Sequence, residues 1–182
     1  MSGNQDLRTK LDALRRGALP QSEIYDTVHE FGHALLLEAE PEVAALLKDP
    51  NPDLRYLAIN VLTLHWDRRD YRHVLEKMMF EDPNPDVRDM AATGLGFSLR
   101  GSRDMAATRL FISKLRDPNE SAFVKGGVYE ALLDLWFSSP TEIDAWYARY
   151  FPERLSLDNV KKHHWSESID WDLVKAVESG HL

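Results

Sequence analysis

The 182-residue sequence has no cysteine. That excludes disulfides, thiolate zinc sites and cysteine nucleophiles, and it fits a reducing, cytoplasmic setting. Long apolar runs are missing as well. Ala34-Leu35-Leu36-Leu37 is followed at once by Glu38, and no run approaches the roughly 18 residues that a membrane-spanning helix needs, so no membrane association is expected. The opening residues, Met1-Ser2-Gly3-Asn4-Gln5-Asp6, lack a basic stretch leading into an apolar one, so a secretory signal is not expected either. Positive charge is scarce: 22 Lys and Arg face 30 Asp and Glu, a net charge of −8. A negative field repels phosphate backbones, which disfavours sequence-independent nucleic-acid binding and makes a basic protein surface the better-matched partner. The same charge also serves plain solubility. No stretch alternates apolar and polar residues with period two, so no strands are expected.

What the sequence does have is an internal repeat. Asp49-Pro50-Asn51-Pro52-Asp53-Leu54-Arg55 recurs 33 residues later as Asp82-Pro83-Asn84-Pro85-Asp86-Val87-Arg88. A degraded third copy, Asp117-Pro118-Asn119-Glu120, begins 35 residues after the second. Each copy should end one helix and start another. Pro50 and Pro83 cannot continue a helix, whereas Pro52 and Pro85 suit a first helical position, where an N–H is not needed. Asn51 and Asn84 are placed to cap the new helix, and Asp53 and Asp86 to complement its dipole. Apolar residues then step by three and four: Leu54, Leu57, Ala58, Val61 and Leu62 after the first turn, and Val87, Met90, Ala91 and Leu95 after the second. Gly94 alone breaks the match between them. The third stripe, Val124, Val128, Ala131, Leu132 and Leu135, comes after two extra residues. Such stripes mark helices with one buried face. Further helices are expected over 7–14, 24–39, 42–48, 71–80 and 105–115, with Ile24, Val28, Phe31 and Leu35 as the buried stripe of the second.

A 33- to 35-residue repeat of helix, Asp-Pro-x-x-x-apolar-Arg turn and helix resembles the bacterial HEAT-like repeats, the group once named for phycobilin lyases. Asp49, Pro50, Leu54, Arg55, Ala58 and Leu62, with Asp82, Pro83, Val87, Arg88, Ala91 and Leu95, carry the resemblance. It implies an all-α, right-handed α-solenoid of about four to five helical hairpins, with a ladder of turn Asp and second-helix Arg (Asp49, Asp82, Arg55, Arg88) between neighbouring repeats. Lys125 replaces the Arg in the third copy. The clear repeats span 41–138, and 1–40 and 139–182 are expected as divergent capping repeats of one domain covering 1–182. Arrays of this family are commonly scaffolds whose second helices line a concave binding face, and a minority are lyases or DNA glycosylases.

Several segments invite a chemical reading. His29-Glu30-Phe31-Gly32-His33 matches H-E-x-x-H, in which two histidines one turn apart share a zinc and the Glu acts as base. It resembles the matrixin proteases, but their glycine and third histidine fall here on Leu36 and Ala39, so solvated histidines with no metal are the expected reading. His163-His164-Trp165 are adjacent residues, about 100° apart on a helix, a poor chelate. Trp66-Asp67-Arg68-Arg69-Asp70-Tyr71-Arg72 mixes aromatics and arginines as nucleic-acid binders do, yet it holds two acids and sits at a turn. Trp136, Phe137, Trp146, Tyr147, Tyr150 and Phe151 read as core and cap packing, and Gly126-Gly127 as a place of close helix approach rather than a phosphate loop.

The expectation is therefore a non-catalytic, cofactor-free protein-binding scaffold, such as an acidic antidote of immunity type to a basic partner. Its second-helix face, matched by repeat position, comprises Tyr56, Asn60, Asp89, Thr93, Glu130 and Asp134, with Asp26, Glu30 and His33 in similar places upstream. The alternative is a HEAT-like enzyme, either a DNA glycosylase or a zinc hydrolase using His29, Glu30 and His33.

Overall fold

The computed structural model describes residues 2–150 and 169–180. Among them the chain forms helices joined by tight turns, with no strand. This is the all-α class of helical hairpins strung along the chain, the α-solenoid class that the repeat implied. Two compact units emerge, Met1–Tyr71 and Arg72–Leu182. The first contains α1 (Ser2–Arg15), α2 (Gln21–His33), α3 (Glu40–Ala45), α4 (Pro52–Asn60) and a π-helical turn, Val61–His65. The second contains α5 (Arg72–Glu81), α6 (Pro85–Ser98), α7 (Met105–Leu115), α8 (Ala122–Trp136), α9 (Pro140–Tyr150) and α10 (Trp171–Ser179). No helix among the described residues is long and apolar enough to cross a membrane.

The repeated turn is closed by its own residues. The Asp49 carboxylate accepts from the Asn51 amide at 2.8 Å, and the Asn51 side chain in turn accepts from the Asp53 amide, capping α4. Asp82 and Asn84 repeat this at α6, where Asn84 accepts from both Asp86 and Val87. Arg55 reaches back to the Asp49 and Pro50 carbonyls at 2.8 and 3.1 Å, and Arg88 does the same to those of Asp82 and Pro83 at 2.8 and 3.2 Å. These carbonyls, left over at the end of the preceding helix, would otherwise lack a donor. The third turn keeps the Asp117–Asn119 bond, but Ser121 takes over as the cap of α8.

The repeat stripes are the core. Leu54, Leu57, Ala58, Val61 and Leu62 are buried, as are Val87, Met90, Ala91 and Leu95, and Val124, Val128, Ala131, Leu132 and Leu135. α6 and α8 approach closely at Gly96, where a Cβ would lie 2.6 Å from the Ala131 Cα. Trp136 is buried with its indole N–H on the Thr108 hydroxyl at 2.9 Å. Arg88 forks onto Glu120 at 2.9 Å, and Lys114 meets the same carboxylate at 2.5 Å. Burial alone would raise the Glu120 carboxyl; the hydrogen bonds from Arg88, Lys114 and the Ser121 amide overcome it and hold it at about 2. So Arg88 spans to the next repeat through Glu120.

The second predicted helix needs correction. It stops at His33, because Leu35 takes a left-handed conformation (φ 51°) and is 60% exposed. Leu36 enters the core in its place, after which a short 3₁₀ turn, Leu37–Ala39, leads into α3. Ile24 is only half-buried, while Val28 and Phe31 are fully buried. Two other non-glycine residues, Asp67 and Arg103, share the positive φ of Leu35.

Candidate functional site

Two surfaces hold the residues singled out in the sequence, one in each unit. In the first unit α2 presents Asp26, Glu30 and His33 exposed, and α4 carries Tyr56 and Asn60 half-buried. Glu30 does not face open solvent alone. Its carboxylate binds the Lys10 ammonium from α1 at 2.6 Å, a hydrogen bond that also raises the lysine pKa.

The histidines behave differently. One turn apart on α2, His29 and His33 bring their Nε2 atoms to 3.2 Å. His65, at the end of the π turn, stacks edge-on against His33 with ring centroids 4.7 Å apart, and lies 6.3 Å from His29. Two features bring it there. Gly32 has no side chain, so the π turn can approach α2; a Cβ at that position would meet Val61 Cγ2 at 2.9 Å and the His65 ring at 3.4 Å. The π turn itself, with the Trp66 amide bonded to the Val61 carbonyl at 3.0 Å, shifts the register of the helix end. Burial, and then the nearby His33 and His29, lower the His65 pKa below its ordinary value. Among the described residues, no three such side chains stand ready-made around one point as a metal cage.

In the second unit the residues singled out in the sequence lie on α6 and α8. Asp89 and Thr93 lie half-buried one turn apart on α6, and Glu130 and Asp134 one turn apart on α8. The Asp89 carboxylate rests directly on the bare Cα of Gly127, in the space a side chain would fill. Burial, then Glu130 and Asp86, push its pKa up to about 6. Asp134 is held by a two-pronged contact from Arg100 at 3.1 and 3.0 Å. Beside them is a cleft of about 310 Å³ with Glu130, Asp134 and Arg100 at its edge and Leu133, Phe137 and Ile143 among its apolar lining.

The arginines of the aromatic–arginine segment are paired with acids in the protein. Trp66 is buried, Arg68 binds Glu40 at 2.7 Å, Arg69 binds Asp67, and Arg72 binds Asp104 and Glu76. Trp136 and Phe137 are core residues. The side chains of Trp146, Tyr147 and Tyr150, together with Phe151, His163, His164 and Trp165, lie outside the described residues. His65 escaped the sequence reading, and the glycine pair reads there as a place of close helix approach, which does not reveal the Asp89 carboxylate seated on Gly127.

A family model for HEAT repeats matches residues 39–132, more than half of the chain. The chain belongs to the HEAT-repeat family. No curated protein and no solved structure matches it.

Proposed function

We propose that this HEAT-repeat chain is a non-catalytic binding module for a protein with a basic surface. An immunity-type antidote to a basic toxin is one instance of that class, and the absence of cysteine supports a cytoplasmic setting. The Asp-Pro turns followed by Arg55 and Arg88 support the finer placement among the phycobilin-lyase-type repeats. One observation carries the reading. Asp89 is held half-buried against Glu130 on adjacent second helices, and its pKa is pushed up to about 6 by burial and like charge. Folding holds the Asp89 carboxylate partly desolvated beside Glu130, and a cation docking there would favour its charged form. The neighbouring cleft is lined by Glu130, Asp144 and the Arg100–Asp134 pair together with apolar Leu133, Phe137 and Ile143, a mixture that suits a Lys or Arg with its aliphatic stem. By repeat register, Tyr56 and Asn60 are the matching positions of the first unit, with Asp26, Glu30 and His33 in similar places on α2.

The test uses the full chain as bait in native extract, with quantitative mass spectrometry, and compares it with Asp89→Asn/Glu130→Gln. Each lost charge contact at a partly buried edge is worth about 1 kcal/mol, roughly fivefold in affinity. The double variant should therefore bind the partner more than tenfold more weakly, while Glu81→Gln on exposed α5 leaves binding unchanged. Recovery of no stoichiometric partner, or equal capture by all three proteins, would refute the reading.

A further inference from the structure

We propose that His29, His33 and His65 form a binding site for one divalent transition-metal ion of the zinc type, set where α2 meets the π-helical turn of the first unit. Nothing in the protein-binding reading requires it.

The argument begins with a distance. Two imidazole nitrogens bound to one zinc at about 2.0–2.1 Å lie roughly 2.9 to 3.4 Å apart, depending on the coordination angle. His29 and His33 hold their Nε2 atoms 3.2 Å apart without any ion. Half the site is thus preorganised by helix periodicity, since residues four apart share a face. Both histidines are exposed, so an ion has an open path to them.

The third ligand comes from another element. The sequence pattern looked for it downstream on the same segment and found Ala39. The fold brings His65 instead, its ring 4.7 Å from that of His33. At present it meets His33 edge to face, with an interplanar angle of 76°. Turning one half-buried imidazole about its side-chain bonds is a rotamer change; it moves no backbone. Imidazole nitrogen suits zinc, nickel and copper, and three such ligands leave a fourth position for water.

Two backbone features make the juxtaposition specific. Gly32 sits between the two α2 histidines in the chain and clears the space that Val61 and His65 occupy. The π turn, an insertion of the kind found often at functional sites, ends on His65. Glu30 is engaged by Lys10 and is not placed as a base. The site is therefore one for binding an ion, with no peptidase activity attached. Once occupied, it would clamp α2 to the π turn.

The experiment is titration of the metal-free full chain with zinc chloride, followed by calorimetry and metal analysis after dialysis. One zinc per chain is expected. His33→Ala should abolish it, and His65→Asn, which removes a ligand, should weaken it by more than the roughly tenfold that loss of an outer-shell partner costs. Imidazole nitrogen NMR signals of all three histidines should shift together on titration. With zinc a hundredfold above Kd, Tm should rise by roughly 5 to 10 °C. His163→Ala/His164→Ala should keep the stoichiometry. The metal-free Tm of His65→Asn is read alongside to register any change in the turn, and His29→Gln on the exposed face of α2 serves as a second variant. Zinc binding untouched by His65→Asn would leave only a surface histidine pair and overturn the three-ligand site. No binding at micromolar zinc, or binding untouched by His29→Gln, would overturn it entirely.

Discussion

Asp89→Asn should stabilise the protein at neutral pH and have little effect at pH 4. The ordinary carboxyl pKa of 3.8 rises to about 6 in the folded chain, first through burial and then through Glu130 and Asp86. Between those values the folded state holds a proton that the unfolded state has released, so stability falls as pH rises through this window. Below 3.8 both states are protonated and the penalty vanishes; above 6 it is complete. One pKa unit corresponds to about 1.4 kcal/mol, which puts the ceiling near 3 kcal/mol. Asp89 retains some contact with water, so screening brings the expected figure to about 1–2 kcal/mol. Asparagine has nearly the same shape and no charge, and it can occupy the space above Gly127. For a chain of this size, 1–2 kcal/mol is about 3–6 °C in Tm. Thermal melts of parent and variant from pH 4 to pH 8 should therefore coincide at the acid end and separate progressively up to about pH 7. A variant that melts with the parent at pH 8, or a gap that persists unchanged at pH 4, would refute the electrostatic account of this surface.

Other perturbations have equally definite outcomes. Ala58→Asp and Ala91→Asp each place an unpaired carboxylate at a fully buried position; the cost of several kcal/mol should abolish cooperative melting by circular dichroism. Glu120→Gln strips the anion from between Arg88 and Lys114, so a loss of about 3–5 kcal/mol in urea denaturation is expected at pH 7. Because that carboxyl is held at about 2, its contribution is present above its ordinary 4.5 and is lost as pH falls towards 2; the parent and Glu120→Gln curves should converge there. Gly96→Val, whose side chain would collide with the Ala131 backbone, should cost about 1–3 kcal/mol or more by overpacking, whereas Gly17→Ala, with open space around it but a φ of 64°, should cost only backbone strain of about 1 kcal/mol.

The parts of this fold that could be read in advance are those whose physics is local. Pro50, Asn51 and Arg55 act on atoms within seven residues, so the turn, the cap and the start of the next helix follow from the letters. The stripes of α4, α6 and α8 follow likewise, because burying every third and fourth side chain suits only one face of a helix. The end of α2 did not follow. No glycine or proline marks it, and Leu35 adopts its left-handed backbone so that Leu36 can be buried. The two surfaces were legible only in part. Asp89, Thr93, Glu130 and Asp134 could be aligned by repeat register, but the burial of Asp89 depends on Gly127 in another helix. His65 joins His29 and His33 only through the packing of a π turn against Gly32. Glu120 was hidden for a similar reason: the third turn looked degraded, yet the position after its Asn supplies the carboxylate that Arg88 and Lys114 share.

The self-contained turn bears on how a chain of this kind changes length. The hydrogen bonds described at Asp49–Arg55 are made among those seven residues, and the same set recurs at Asp82–Arg88, where Arg88 also reaches Glu120. A turn whose shaping bonds are so local works wherever it is copied. Recombination that cuts at one Asp-Pro step and rejoins at another exchanges whole hairpins and leaves both junctions intact. What each new neighbour must renegotiate is the apolar stripe and a single ionic contact of the Arg88–Glu120 kind. Repeat number is then free to drift under selection for surface area, while the joints between repeats stay the same.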